Sequence, residues 1–415
     1  MINFERFTLE NGLTVLFHKD KTTPMAVVNI LYNVGARDES ESQTGFAHLF
    51  EHLMFGGSVN IPDFDTPLQL AGGENNAFTS NDITNYYDVL PKQNIETALW
   101  LESDRMLSLA FTDKSLEVQR SVVIEEFKQN YLNQPYGDVW MELRPLAYQK
   151  HPYKWATIGK EIKHIEDATM KDVKAFFKKH YSPSNAILSI AGNFEINEVK
   201  ELTKKWFDDI PAGEKYIRNI EKEPKQTEYR EKTIEREVPA DAFYYAFKMG
   251  DRMHQDFYTT DLVSDALGRD KSSRLYLSLK KEQQLASSIN SYILGTIEDG
   301  LLVISGKLND GVSFKELDDA LWIELEKVKT EVLDESELKR LLNKIRTSKE
   351  FQEQGILNRA MSLCMYELLG DASMINEEGN HYFSITPAQI QTVAQSILKK
   401  ENCSLLKVKA QINDK

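Results

Sequence analysis

His48-Leu49-Phe50-Glu51-His52 holds two imidazoles four residues apart, and on a helix that spacing puts both on one face, toward a single metal ion. Glu51 stands three residues after His48 on the same face. A catalytic zinc takes three protein ligands and leaves a fourth position for water, whose proton then comes off near neutral pH. One helix turn supplies two nitrogens, so a third ligand must come from elsewhere in the chain. Val122-Val123-Ile124-Glu125-Glu126-Phe127 offers one: an apolar strip that would seat a helix in the core, carrying two neighbouring carboxylates. Adjacent helical residues diverge by about 100°, so only one of Glu125 and Glu126 can point at the metal, and the spacing does not choose. Glu51 is left as general base, taking a proton from water and later delivering it to a leaving amine. The plainer reading is two half-buried histidines on an amphipathic helix with Glu51 solvated.

The elements that must position these groups read as β then α. Leu13 to His18 and Met25 to Tyr32 are apolar, β-branched runs, the first preceded by an Asn11-Gly12 turn signal, and the motif helix should stop at Gly56-Gly57. Asn76 to Thr79 and Tyr86 to Leu90 predict another strand pair, and Ser115 to Asn130 a long helix. Between Pro211 and Glu228 the apolar periodicity lapses into a charged, proline-containing stretch, which predicts a linker at 215–228 between domains 1–214 and 229–415. Each half closes in the same way. Thr169 opens an amphipathic helix followed by the strand run Ala186 to Ile190; Thr386-Pro387-Ala388-Gln389 is a capping box before a helix, with Ser404 to Val408 as the strand after it. A duplicated α/β domain is the economical explanation. Near Asp261-Leu262-Val263-Ser264-Asp265, where the repeat would place a second motif, there are no histidines. Leu317, Leu321, Leu325 and Val328 form one apolar face behind the Ser313-to-Glu316 capping box and should be core.

At 415 residues, 41% apolar and 27% charged, the chain has the composition of an ordinary globular protein large enough for two or three domains. A net charge of −14 without a basic stripe argues against nucleic acid and anionic membranes as partners and favours neutral or cationic ones. No run approaches the roughly 18 apolar residues of a membrane span, and Met1 to Arg6 lacks the basic start and apolar stretch of a signal peptide. A cytoplasmic chain is expected, and a mature periplasmic form would read the same. Cys364 and Cys403, in apolar surroundings without Cys-x-x-Cys spacing, should be buried thiols.

The motif with its extension Leu53-Met54-Phe55-Gly56-Gly57-Ser58 resembles the inverted zinc motif of the pitrilysin family, the inverzincins. Further landmarks are similar: Gly72-Gly73-Glu74-Asn75-Asn76-Ala77-Phe78-Thr79, Thr84-Asn85-Tyr86-Tyr87, Gln119-Arg120-Ser121-Val122-Val123-Ile124-Glu125-Glu126, Asn133 to Gly137, His151-Pro152-Tyr153 and Tyr181 to Ala186, ending in Ala191-Gly192-Asn193-Phe194. Ser272 to Tyr276 and Lys281 to Leu285 continue the resemblance more loosely into the second half. In length the chain is similar to the small bacterial branch related to mitochondrial processing peptidase.

The resemblance implies an α+β fold of two homologous α/β-roll domains, each a mostly antiparallel sheet with helices packed on it, and two chains per clam-shaped particle. It implies one Zn2+ per chain held by His48, His52 and Glu126, with Glu51 as base, although the 73 residues between His52 and Glu126 are marginally fewer than usual. It implies substrate added as a strand along Asn76-Ala77-Phe78-Thr79. Gln119 stands where the family usually has a glutamate supporting the ligands. Lys280 and Ser287 stand where the family commonly offers an arginine and a tyrosine to the substrate. The function implied is a zinc endopeptidase acting on unfolded peptides in an enclosed chamber. The alternative is a zinc-bearing or structural subunit, inactive without a related metal-free partner, and the lost pair slightly favours a heterodimer over a homodimer.

Overall fold

Strands buried along their whole length need cover on both faces, and two such strands organise the first half of the structure. A computed structural model of the chain describes residues 1–411. β1 (Glu5–Thr8), β2 (Thr14–Lys19), β3 (Met25–Tyr32), β4 (Glu74–Thr79), β5 (Thr84–Pro91) and β6 (Ala186–Gly192) form one sheet in the order β1-β2-β6-β3-β5-β4. Every residue of β6 is buried, as is every residue of β3 after Met25. A second sheet comprises β7 (Arg230–Arg236), β8 (Ala242–Lys248), β9 (Ala286–Leu294), β10 (Leu301–Leu308) and β11 (Cys403–Ala410), in the order β7-β11-β8-β10-β9.

Counted from β2, the two sheets have one topology. The first strand pairs in parallel with the last, β2 with β6 and β7 with β11, and every other pairing is antiparallel. The repeated endings read from the sequence are the same elements. The side chains of Thr169 and Thr386 accept from the backbone N–H groups of Asp172 and Gln389, opening the helices Met170–His180 and Pro387–Ile397 that precede β6 and β11.

The two compact units are not the contiguous stretches 1–214 and 229–415. One comprises Met1–Lys128, Trp155–Ile220 and Lys349–Glu377; the other comprises Gln129–Lys154, Glu221–Ser348 and the chain from Glu378. The physical reason is the double-sided burial. In the first unit the helix Ile356–Leu368 lies on β3 and β6, where Ala360 packs with Val27 and Ala191. In the second, the helix Val139–Ala147 lies on β7, β8 and β11. Residues 215–228 have no helix or strand, yet they are fastened in place. Within the first unit the Arg218 guanidinium donates to Asp38 at 2.8 Å and to Asn33; within the second, the Glu223 carboxylate accepts the N–H groups of Gln149, Lys150 and His151, each at 2.9 Å.

The core of the second unit includes Leu317, Leu321, Leu325 and Val328, all fully buried on the helix Phe314–Thr330. Leu321→Ala is expected to cost about 2–5 kcal/mol, read as a lower denaturant midpoint; a loss under about 1 kcal/mol would mean that this face does not carry the core. Cys364 and Cys403 are buried and unpaired with each other. Among the described residues no helix is long and apolar enough to cross a membrane.

Candidate metal centre

The motif helix, Phe46–Leu53, buries Phe46, Ala47, Leu49, Phe50 and Leu53 and thereby turns His48, Glu51 and His52 to the less buried side. Phe50 anchors it from below, with its ring 5.0 Å from Phe176 and 5.1 Å from Tyr181. The Tyr86 hydroxyl donates to the Phe50 carbonyl at 3.4 Å. Beneath Tyr86 the fully buried Arg105 is held by the Glu102 carboxylate and lies 4.4 Å over the Tyr86 ring and 4.3 Å over Phe64. A buried guanidinium with a carboxylate partner and aromatic faces is a stiff floor.

The second helix, Asp113–Phe127, packs against the motif helix and brings Glu126 to the histidines. Glu126 Oε2 lies 3.6 Å from His48 Nε2 and 3.4 Å from His52 Nε2. Ligands about 2.0–2.2 Å from a tetrahedral zinc stand roughly 3.3–3.6 Å from one another, so these separations fit a shared ion. Among the described residues, His48, His52 and Glu126 are the group of such side chains whose ligand atoms all lie within 4.8 Å of one another. Glu125 points elsewhere: its carboxylate is 62% exposed and pairs with Lys128 at 2.7 Å. Gln119, two turns before Glu126 on the same helix, is half-buried.

Burial holds the His48 imidazole well below its ordinary range, against the pull of Glu126, which leaves it neutral as a ligand must be. Burial also raises the Glu51 carboxyl, opposed by contacts with Thr79 and by His52. Thr79 ends β4, the strand that closes the sheet on this side and, among the described residues, pairs only with β5. Asn76, Ala77, Phe78 and Thr79 thus lie on a free edge beside the motif helix, with Asn76 and Phe78 exposed.

Residues 158–168 tie both helices together, a role not anticipated from the sequence. Thr44 Oγ1, just before the motif helix, accepts the Lys160 N–H at 2.8 Å and lies 2.8 Å from His164 Nδ1. Gly45 has φ +87°, and a Cβ there would come within 2.6 Å of the Ile158 carbonyl. From the other helix, Arg120 donates to the Ile165 carbonyl at 3.1 Å and to that of Ala168. The signals were present as a glycine before the motif and an arginine six residues before Glu126, but neither residue type names a backbone carbonyl as its partner.

The counterpart helix of the second unit, Phe257–Gly268, follows β8 as the motif helix follows β3. Its Asp261 accepts from the Tyr382 hydroxyl at 2.6 Å and its Asp265 from Arg269 at 2.7 Å. In the same unit the Lys280 ammonium donates to the Ser287 carbonyl and sits 5.4 Å from the Tyr276 ring centroid.

Residues 14–161 match the family described as Insulinase (Peptidase family M16), and residues 167–345 match the Peptidase M16 inactive domain. The chain is similar to the zinc protease PqqE of Helicobacter pylori, with 32% identity over 343 residues covering 81% of this chain and 77% of that one. Its similarity to the beta subunit of the mitochondrial-processing peptidase of Saccharomyces cerevisiae is 29% over 209 residues, half of this chain and 45% of that protein. The crystal structure of a protease from Helicobacter pylori superposes with a TM-score of 0.94 at 28% identity, over 99% of this chain and 100% of that one. Matched in both halves, and across most of a relative more than 30% identical, the chain belongs to peptidase family M16, the pitrilysin family.

Proposed function

We propose that the chain is a zinc endopeptidase that hydrolyses unfolded peptides in an enclosed chamber. The observation that carries this reading is the approach of Glu126 to both motif histidines, 3.6 and 3.4 Å, beside a half-buried Glu51. His48, His52 and Glu126 would hold one zinc ion, which supplies Lewis acidity to the scissile carbonyl and makes water easier to deprotonate. Glu51 accepts that proton on its carboxylate and returns it to the nitrogen of the leaving amine. Burial, by raising its carboxyl, suits a group that must carry the proton between the two steps. The free edge of β4 would receive the peptide as an added strand. Backbone hydrogen bonds along Asn76 to Thr79 would then give affinity with loose sequence preference.

A second reading is favoured by Lys280 and Ser287, which on the family resemblance stand where an arginine and a tyrosine are commonly offered to substrate. The ammonium is already engaged by its own chain's Ser287 carbonyl. In this reading the chain is the zinc-bearing subunit of a heterodimer, and a related metal-free subunit supplies the missing pair.

Zinc content and cleavage of a quenched, basic, unstructured peptide, measured on the purified chain, test both. About one zinc per chain with cleavage would make the chain a self-sufficient peptidase. Zinc without cleavage, restored by a related subunit carrying arginine and tyrosine, would establish the heterodimer. A chain that binds no zinc would end both readings. The net charge of −14 also leads us to expect faster cleavage of basic than of acidic peptides of matched length, with the difference shrinking as salt is added.

A further inference from the structure

An eight-residue helix carries the motif, and such a helix has little internal hydrogen bonding to fix its rotation. Its N-cap position is Gly45, which has no side chain with which to cap it. The cap comes instead from Glu39, six residues earlier. One carboxylate oxygen of Glu39 accepts the Gly45 N–H at 2.9 Å and the other accepts the Ala47 N–H at 2.8 Å. Glu39 is only 8% exposed, and the turn that presents it is pinned from several sides. Trp155 Nε1 donates to the Ala36 carbonyl at 2.9 Å, the Gly35 N–H donates to Asp38 at 3.0 Å, and Arg218 donates to the same Asp38 at 2.8 Å. Two bonds from one rigid carboxylate, to N–H groups two residues apart, fix both the entry and the rotation of the helix. A histidine Nε2 stands about 6 Å from a helix axis, so a rotation of about 10° moves it by about 1 Å, whereas metal–ligand distances tolerate about 0.2 Å.

We propose that Glu39 is a positioning residue for the metal centre, holding the motif helix at the rotation that brings His48 and His52 onto Glu126. The proposal rests on the reading of those three side chains as zinc ligands. Glu39 contributes no ligand atom; it acts through the backbone of the residues immediately before His48.

The test compares Glu39→Ala and Glu39→Gln in the full chain with Thr386→Val, which removes a side-chain helix cap in the second unit. Zinc affinity is measured by competition with a chelator, the cobalt-substituted protein is examined by its visible absorption, and thermal midpoints are recorded alongside. Both Glu39 variants are expected to weaken zinc binding about tenfold to hundredfold and to alter the cobalt band, while Thr386→Val lowers the thermal midpoint and leaves both metal readouts unchanged. The near-isosteric Glu39→Gln keeps the test alive if the alanine variant does not fold. Wild-type zinc affinity and an unchanged cobalt band in Glu39→Gln would overturn the proposal, leaving Glu39 as a cap that matters only for stability. A wild-type chain that binds no zinc would instead remove the metal centre itself.

Discussion

Glu51→Gln is expected to lower peptide cleavage about a thousandfold or more while leaving zinc content and the thermal midpoint at wild-type values. Removing a positioned general base typically costs about 10²–10⁴-fold, and the amide is nearly isosteric but cannot accept a proton. Glu51 stands on the motif helix between the two histidines, yet among the described residues the close group of ligand atoms is that of His48, His52 and Glu126. Thr79 at the end of β4 and His52 both hold the Glu51 carboxyl down against the effect of burial, so it stands near the edge where a peptide strand would lie as well as near the histidines. The measurement is turnover of the quenched peptide, under whichever subunit composition proves active, beside zinc quantification on the same sample. Cleavage retained within tenfold would assign the base to another residue. Loss of zinc in this variant would mean that Glu51 belongs to the ligand set rather than to proton transfer.

The motif was legible because both its chemistry and its geometry are local: the i, i+4 spacing of His48 and His52 works on any helix. The duplication was legible for a similar reason, since each capping threonine and the strand after it are read from a few adjacent residues. Spacing alone left Glu125 and Glu126 open and only the resemblance favoured Glu126; the register of one helix against the other brings that carboxylate to the histidines and sends its neighbour to Lys128. The segment exchange between units was beyond the sequence. The helix Ile356–Leu368 has an apolar face around Ala360, Leu363 and Cys364, but nothing in that pattern says which sheet it will cover. The supports of the motif helix are harder still. Glu39 and Arg120 bond to backbone N–H and carbonyl groups, which every residue carries, so the partner leaves no mark in the sequence.

The pair Glu126→Gln and Glu125→Gln separates the two carboxylates by experiment. Glu126→Gln is expected to lose zinc affinity by more than about a hundredfold, about 2.7 kcal/mol, and to lose cleavage with it; Glu125→Gln is expected to keep both. Two neutral imidazoles leave a divalent ion's charge unbalanced, and the carboxylate is the one anionic ligand of the three. An amide in its place removes that charge and offers a weaker donor, in a site where His48 is largely withdrawn from water. Glu125 has no such part to play. It is mostly exposed, and its ion pair with Lys128 spans three residues of one helix surface, an arrangement worth about 0–1 kcal/mol. Equilibrium competition against a chelator gives the two affinities directly. The opposite result, with zinc lost in Glu125→Gln and kept in Glu126→Gln, would require the helix Asp113–Phe127 to turn by about 100°. That turn would carry Val123 and Phe127 out of the core, where they are now 0% and 4% exposed. The assignment of the third ligand is therefore tied to the packing of the helix that carries it, and the two substitutions test both together.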